Sequence, residues 1–125
     1  MIDMLTKQEI LSNLKKLDLD VTQYVVISGA SLVLHDLKER THDIDLVVTK
    51  QYYDELKKQY HIQEYKKGCC KLEENIEFFR EYWPKEIDWI EGYPTASVAD
   101  IIALKKQLHR SKDLEDLMKL KEIGE

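Results

Sequence analysis

A chain of 125 residues with 43% hydrophobic and 34% charged content holds enough apolar material for one core and too little for two, so residues 1–125 are read as a single domain. The net charge of -5, from 24 acidic and 19 basic residues, excludes a general attraction to nucleic acid or anionic membrane and leaves only a local basic patch for such partners. No apolar run is long enough to span a bilayer, and the opening MIDMLTKQEI lacks the apolar core of a secretion signal.

In chain order, Thr6-Lys7-Gln8-Glu9 has the spacing of a capping box. Ile10, Leu14 and Leu17 then recur on one helical face, ending near Asp18-Leu19-Asp20. Val21 to Ile27 is β-branched and aromatic and predicts a buried strand. Gly29 permits a tight turn, and Ser31 to Lys38 predicts a short helix with Leu34 and Leu37 inward. Ile44 to Val48 is the next strand. Thr49 caps a helix over roughly Lys50 to Gln59, with Tyr53 and Leu56 facing in. His61 to Lys66 and Cys69 to Glu73 predict a hairpin around Lys67-Gly68, followed by a strand from Asn75 to Phe79. Arg80 to Glu91 mixes Trp83, Pro84 and Trp89 with charges and gives no clear element. Ser97 and Asp100 form a second capping box, opening a helix through about Leu108, and a final helix covers about Lys112 to Ile123. The mixture of strands with helices before, between and after them predicts an α/β or α+β domain.

The two cysteines, Cys69 and Cys70, are adjacent. Neighbours in a strand point to opposite faces, so they make neither a staple nor a metal site. They are read as one core and one surface residue in a reducing cytoplasm.

Asp43 and Asp45 interrupt an apolar strand. Residues i and i+2 share a face, with Cα atoms about 6–7 Å apart, so the pair can converge on a hard cation with phosphate and water completing its shell. The plainer alternative is a strand beginning at the surface with two solvated acids. Ser28-Gly29-Ala30-Ser31, between an apolar strand and a helix, offers backbone N–H groups to phosphate oxygens. A third acid would complete a two-metal or general-base arrangement. Glu77, in Asn75-Ile76-Glu77-Phe78-Phe79, is the first candidate and Asp88 the second.

Val26-Ile27-Ser28-Gly29-Ala30-Ser31-Leu32 followed by Arg40-Thr41-His42-Asp43-Ile44-Asp45-Leu46 resembles the nucleotidyltransferase superfamily, whose best-known fold is the catalytic domain of DNA polymerase β. The likeness is to its small bacterial branch akin to AbiEii-type toxin transferases. Arg40 stands directly before Thr41, without the intervening residue of the family pattern, and Ser28 stands where a first glycine is common. Lys105 and then Arg110-Ser111-Lys112-Asp113-Leu114-Glu115-Asp116-Leu117 extend the likeness over roughly residues 21 to 120.

The resemblance implies a mixed β-sheet flanked by helices, with helices at the C-terminal end. It implies transfer of a nucleoside monophosphate from a nucleoside triphosphate to an unidentified hydroxyl acceptor. Asp43, Asp45 and Glu77 would be the catalytic acids and ligands of Mg²⁺ or Mn²⁺. Ser28, Gly29, Ser31, Arg40 and Lys105 would face the nucleotide, while Arg110, Lys112 and Asp113 look like a helix-junction network.

Two rivals stand beside this reading. One is a catalytically silent member that binds nucleotide, a protein partner or a second copy, with Tyr52, Tyr53, Tyr60, Tyr65, Tyr82 and Tyr93 as interface candidates. The other is a metal-dependent phosphohydrolase using His42-Asp43, for which His35, His61 and His109 supply no supporting spacing.

Overall fold

Thr6 opens the first helix as its spacing predicts. In the structure, a computed structural model describing residues 4–65, 67–80 and 82–108 (in the last helix, side chains only as far as residue 103), the Thr6 hydroxyl accepts from Glu9 N at 3.3 Å. The Glu9 carboxylate in turn accepts from Thr6 N at 3.2 Å. The chain runs β1 (Leu5–Thr6), α1 (Lys7–Leu17), β2 (Tyr24–Ile27), α2 (Ser28–Leu34), β3 (Arg40–Thr41) and β4 (Ile44–Val48). It continues through α3 (Lys50–Gln59), β5 (Cys69–Glu73), β6 (Ile76–Phe79), β7 (Ile87–Ile90), β8 (Tyr93–Ala96) and α4 (Val98–Leu108). The expected final helix and Arg110, Lys112 and Asp113 lie outside the described residues.

Six strands form one mixed sheet in the order β5-β6-β4-β2-β8-β7, and β1 pairs with β3 in a small ribbon. The central pair, β2 and β4, is antiparallel with Val26 opposite Leu46 and Ile27 opposite Asp45. β4 runs parallel to β6, and β2 parallel to β8 with Val26 opposite Thr95. This is the mixed, helix-flanked sheet the sequence implies.

The period-2 alternation divides the apolar residues between two layers. Tyr24, Val26, Ile44, Leu46, Val48, Ile76 and Phe78 pack with Ile10 and Leu14 of α1 and Tyr53 and Leu56 of α3. On the other face, Val25, Ile27 and Val47 pack with Leu32, Ala96 and Ile101 of α4. The second layer is the smaller, and it is the layer whose face carries Asp45 and Glu77.

Tyr53 anchors the larger layer. Its ring is fully buried and meets Phe78 edge to face, with centroids 5.4 Å apart. Its hydroxyl donates to Glu64 Oε1 at 2.7 Å and accepts from the Cys70 thiol at 3.2 Å. Burial, with the neighbouring Cys70 and Glu64, raises the phenol's pKa well above its ordinary value, so it stays protonated. Tyr53→Phe is expected to cost about 1–2 kcal/mol, because the Glu64 and Cys70 groups lose their partner. A urea melt reads this as a lower midpoint at unchanged slope, and an unmoved midpoint would show the hydroxyl to be energetically idle.

Ser97 and Asp100 close the second capping box. The Ser97 hydroxyl accepts from Asp100 N at 3.2 Å and donates to Asp100 Oδ2 at 2.9 Å, and the same oxygen accepts from Glu86 N at 2.7 Å. Burial pushes the Asp100 carboxyl up, but the hydrogen bonds from Glu86 and Ser97 outweigh it and hold the pKa below the usual carboxylate value. Such a group adds stability that is complete above its unfolded pKa, about 3.9, and vanishes as pH falls through the lower folded value. Asp100→Asn should therefore lower the melting temperature at neutral pH and flatten its decline below about pH 4. Parallel acid limbs in the two proteins would remove Asp100 from that account.

Four local readings differ from the structure. α2 begins at Ser28, three residues early, and ends at Leu34. β2 begins only at Tyr24. His61 to Lys66 contributes no strand among its described residues, and β5 instead forms its hairpin with β6, Cys70 opposite Phe78. Cys69 and Cys70 are both buried, at 1% and 0% exposure, because the segment before β5 folds over its outer face and sets the Tyr65 hydroxyl 3.2 Å from Cys69 Sγ.

Candidate active site

β4 explains its two aspartates by where its cover ends. Ile44, Leu46, Val47 and Val48 are almost fully buried, whereas Asp45 is half-buried and Asp43, just before the strand, is exposed. Asp45 lies between Ile27 of β2 and Glu77 of β6, directly opposite each in register. Adjacent parallel strands hold such neighbours about 4.8 Å apart on one face, so Asp45 and Glu77 are side by side, with Asp43 one repeat further toward the strand's start. Asp88 is three strand positions from β4 on the far edge, roughly 14 Å away at that spacing, with its carboxylate 3.6 Å from His35 Nε2.

The Glu77 carboxylate is engaged by Cys69, whose thiol lies 3.6 Å from Oε2, and by a hydrogen bond from the Tyr65 hydroxyl. Among the described residues, no three His, Cys, Asp or Glu side chains are grouped as a metal site. A dedicated three-acid cage is therefore absent from this part of the chain. Two hard-oxygen ligands on one face remain the donor set that Mg²⁺ takes when substrate phosphates and water fill its other positions, and Asp43 with Asp45 fits that requirement.

The antiparallel register brings the turn after Ile27 to the same end of the sheet as Asp43. Ser28 adopts φ +58°, a left-handed conformation that glycine takes without strain, which is a physical reason for glycine to be common at this position. Gly29 lies against Thr41 so closely that a Cβ there would sit 2.5 Å from Thr41 Oγ1. Ser31 is fully buried, and its hydroxyl donates to the Ser28 carbonyl, closing the turn from within. Arg40 is exposed on β3, opposite Thr6, and Lys105 lies on α4.

Sequence reasoning missed Lys38. Its Nζ is 3.9 Å from the position of a Cβ on Gly29, directly over the turn. It also lines a cleft of about 770 Å³, together with Thr6, Lys7, Asp36, Leu37 and Arg40. Nothing in the local pattern signals this, because the contact depends on how the α2–β3 connection folds back.

The rival readings gain little from the geometry. His42 and His61 are exposed, His35 Nε2 donates to the Ala96 carbonyl at 2.8 Å, and His109 lies outside the described residues. The tyrosines do not share a surface role: Tyr53 is core, Tyr52 accepts from Asp20 N at 2.9 Å, and Tyr60 and Tyr65 are exposed. No helix among the described residues is long and apolar enough to cross a membrane.

The sheet, its helices and the acid-bearing end of β4 define a protein of the nucleotidyltransferase superfamily fold. A crystal structure of a candidate nucleotidyltransferase from Thermotoga maritima superposes with a TM-score of 0.61 at 16% identity, covering 94% of this chain and 96% of that one. Residues 3–124 match the family described as "Nucleotidyltransferase of unknown function (DUF6036)", and the chain belongs to that family. No curated protein matches it.

Proposed function

We propose that this protein transfers a nucleoside monophosphate from a nucleoside triphosphate to a hydroxyl acceptor, in the manner of the small AbiEii-toxin-like branch of the superfamily. The observation that carries the reading is the pairing of Asp45 with Glu77 on one sheet face beside the Ser28–Gly29 turn, with Asp43 on the same side.

Asp43 and Asp45 would hold Mg²⁺ or Mn²⁺, and the ion would supply charge that offsets the phosphates and acidifies the attacking hydroxyl. The chain's own groups do the rest. Gly29, with no side chain, lets the turn close against Thr41 and so brings its backbone to the Asp43 end of the sheet. Ser28 and Arg40 border that end, and Ser31 holds the turn's shape. Lys105, on α4, is a further candidate for the triphosphate or the acceptor. Glu77, with one carboxylate edge steadied by Tyr65 and Cys69, accepts the proton of the attacking hydroxyl. The new bond forms between the acceptor oxygen and the α-phosphorus. The bond from α-phosphorus to the bridging oxygen breaks, and its electron pair leaves with pyrophosphate.

The reading is tested by asking whether pyrophosphate release from ATP, GTP, CTP or UTP requires both Mg²⁺ and the two aspartates, Asp43 and Asp45. Release of inorganic phosphate with no nucleotide transferred would replace it with phosphohydrolysis.

A further inference from the structure

We propose that the acceptor is a small phosphate ester, and that Lys71 of β5 holds its phosphate while Glu77 receives the proton of its hydroxyl. This rests on the proposed function and names the substrate class on the acceptor side of the same site.

The register of three strands sets the arrangement. Asp45 of β4 is opposite Glu77 of β6, and Glu77 is opposite Lys71 of β5. Residues paired in register share a face, so the three form one row across the sheet in steps of about 4.8 Å. The Ser28–Gly29 turn follows β2, on the other side of β4. The row therefore runs from the turn through both acids to the lysine. Lys71 is exposed, and its ammonium rests over the Tyr65 ring, 5.6 Å from the centroid. The Tyr65 hydroxyl also hydrogen-bonds Glu77, so one ring places both the charge and the carboxylate.

In-line displacement puts the attacking and leaving oxygens on opposite sides of the α-phosphorus. With pyrophosphate leaving on the side of the turn, the acceptor enters over β6 and β5. Its hydroxyl gives its proton to Glu77 and its oxygen bonds to the α-phosphorus. The bond to the bridging oxygen breaks, and the electron pair goes with pyrophosphate. One strand beyond Glu77, the entering molecule meets a cation. A lysine ammonium is a compact point charge that suits phosphate oxygens without demanding bidentate geometry. The surroundings limit the size of that anion. Glu73 and Glu74 are exposed where β5 ends, and the chain has a net charge of -5. A long polyanion meets repulsion there that a single phosphate avoids.

The test is calorimetric titration of glycerol 3-phosphate, glycerol and a uridine trinucleotide into the wild type, Lys71→Ala and Lys71→Arg. Each protein is first saturated with Mg²⁺ and the α,β-methylene analogue of whichever nucleoside triphosphate binds the wild type, which blocks transfer. Thermal melts run alongside, and Lys71→Gln replaces Lys71→Ala if the latter does not fold. Glycerol 3-phosphate is expected to bind the wild type at least about tenfold more tightly than glycerol. Lys71→Ala should erase that preference, and Lys71→Arg should keep it to within about threefold. Affinity for the donor analogue should be equal in all three proteins. A wild type with no preference for the phosphate ester, or a preference that survives in Lys71→Ala, overturns the assignment and leaves the donor site standing. A trinucleotide that binds more tightly than glycerol 3-phosphate, through Lys71, overturns the small ester in favour of a nucleic-acid end. Weaker binding of the donor analogue in Lys71→Ala overturns the acceptor role in favour of a donor one. A wild type that binds no analogue overturns the proposed function and Lys71 with it.

Discussion

Asp43→Asn and Asp45→Asn each abolish metal-dependent nucleotide binding and pyrophosphate release while leaving the melting temperature close to that of the wild type: this is the result expected with the largest effect. Asparagine keeps the size of the side chain and removes the charge. Asp43 is exposed and Asp45 half-buried, so neither change opens a cavity. What disappears is the negative charge that a divalent cation needs from its ligands. For the proposed reaction, loss of metal coordination is expected to cost at least about 4 kcal/mol in the transition state, a factor of about a thousand in rate. The measurement pairs calorimetry of the four nucleoside triphosphates, with and without Mg²⁺, with an assay of pyrophosphate. Equal heats and equal turnover in wild type and variants would reduce the two aspartates to solvated acids at a strand's beginning. The weight would then pass to a silent member of the fold that binds a protein partner.

Gly29→Ala should be nearly as severe, and for a reason opposite to the usual one. Glycine to alanine near the start of a helix ordinarily stabilises, by about 0.4–1 kcal/mol, since it narrows the unfolded ensemble. Here the added methyl would lie 2.5 Å from Thr41 Oγ1 and 3.4 Å from Thr41 Cβ. Thr41 is almost fully buried and tied into the short β1–β3 ribbon, opposite Leu5. It has little room to retreat, and overpacking of this sort costs about 1–3 kcal/mol. The turn would shift away from Asp43, so nucleotide affinity should fall together with stability. Thr41→Ala removes the hydroxyl responsible for the closest approach. The Gly29→Ala/Thr41→Ala double variant is therefore expected to recover part of the loss in a urea melt. Strict additivity of the two changes would show that the contact is relieved elsewhere.

How much of this was legible in the sequence depends on whether the signal was local. β4 begins and ends where the alternation around Asp45 predicts, and α3 starts after Thr49, whose hydroxyl accepts from Tyr52 N at 3.2 Å. The same holds for the Ser97–Asp100 cap. Glu91 defeated the reading of Arg80 to Glu91. The β7–β8 hairpin turns at Glu91-Gly92 with both residues at positive φ, the geometry of a type I′ turn, where Asn or Asp is the usual first residue. One of Cys69 and Cys70 was expected at the surface from the alternation of a strand's faces, and no local pattern shows that Tyr65 will lie over Cys69. The order of strands is equally silent in sequence: Glu77 and Asp88 sit in similar apolar contexts, yet one lies beside Asp45 and the other across the sheet.

The pairing of β2 with β8 has a consequence for the order in which the molecule assembles. Val26 meets Leu46 across a short stretch of chain, whereas its parallel contact with Thr95 closes a loop of roughly seventy residues. Chain-closure entropy makes the longer loop about 1 kcal/mol more expensive. The unit from β2 to β4 carries the turn, Thr41 and both aspartates, so it is favoured to form early, with the β7–β8 hairpin and α4 docking onto it afterwards. Chemistry and early folding would then share one contiguous piece of chain, and a lesion at Gly29 or Thr41 would slow folding as well as weaken the native state.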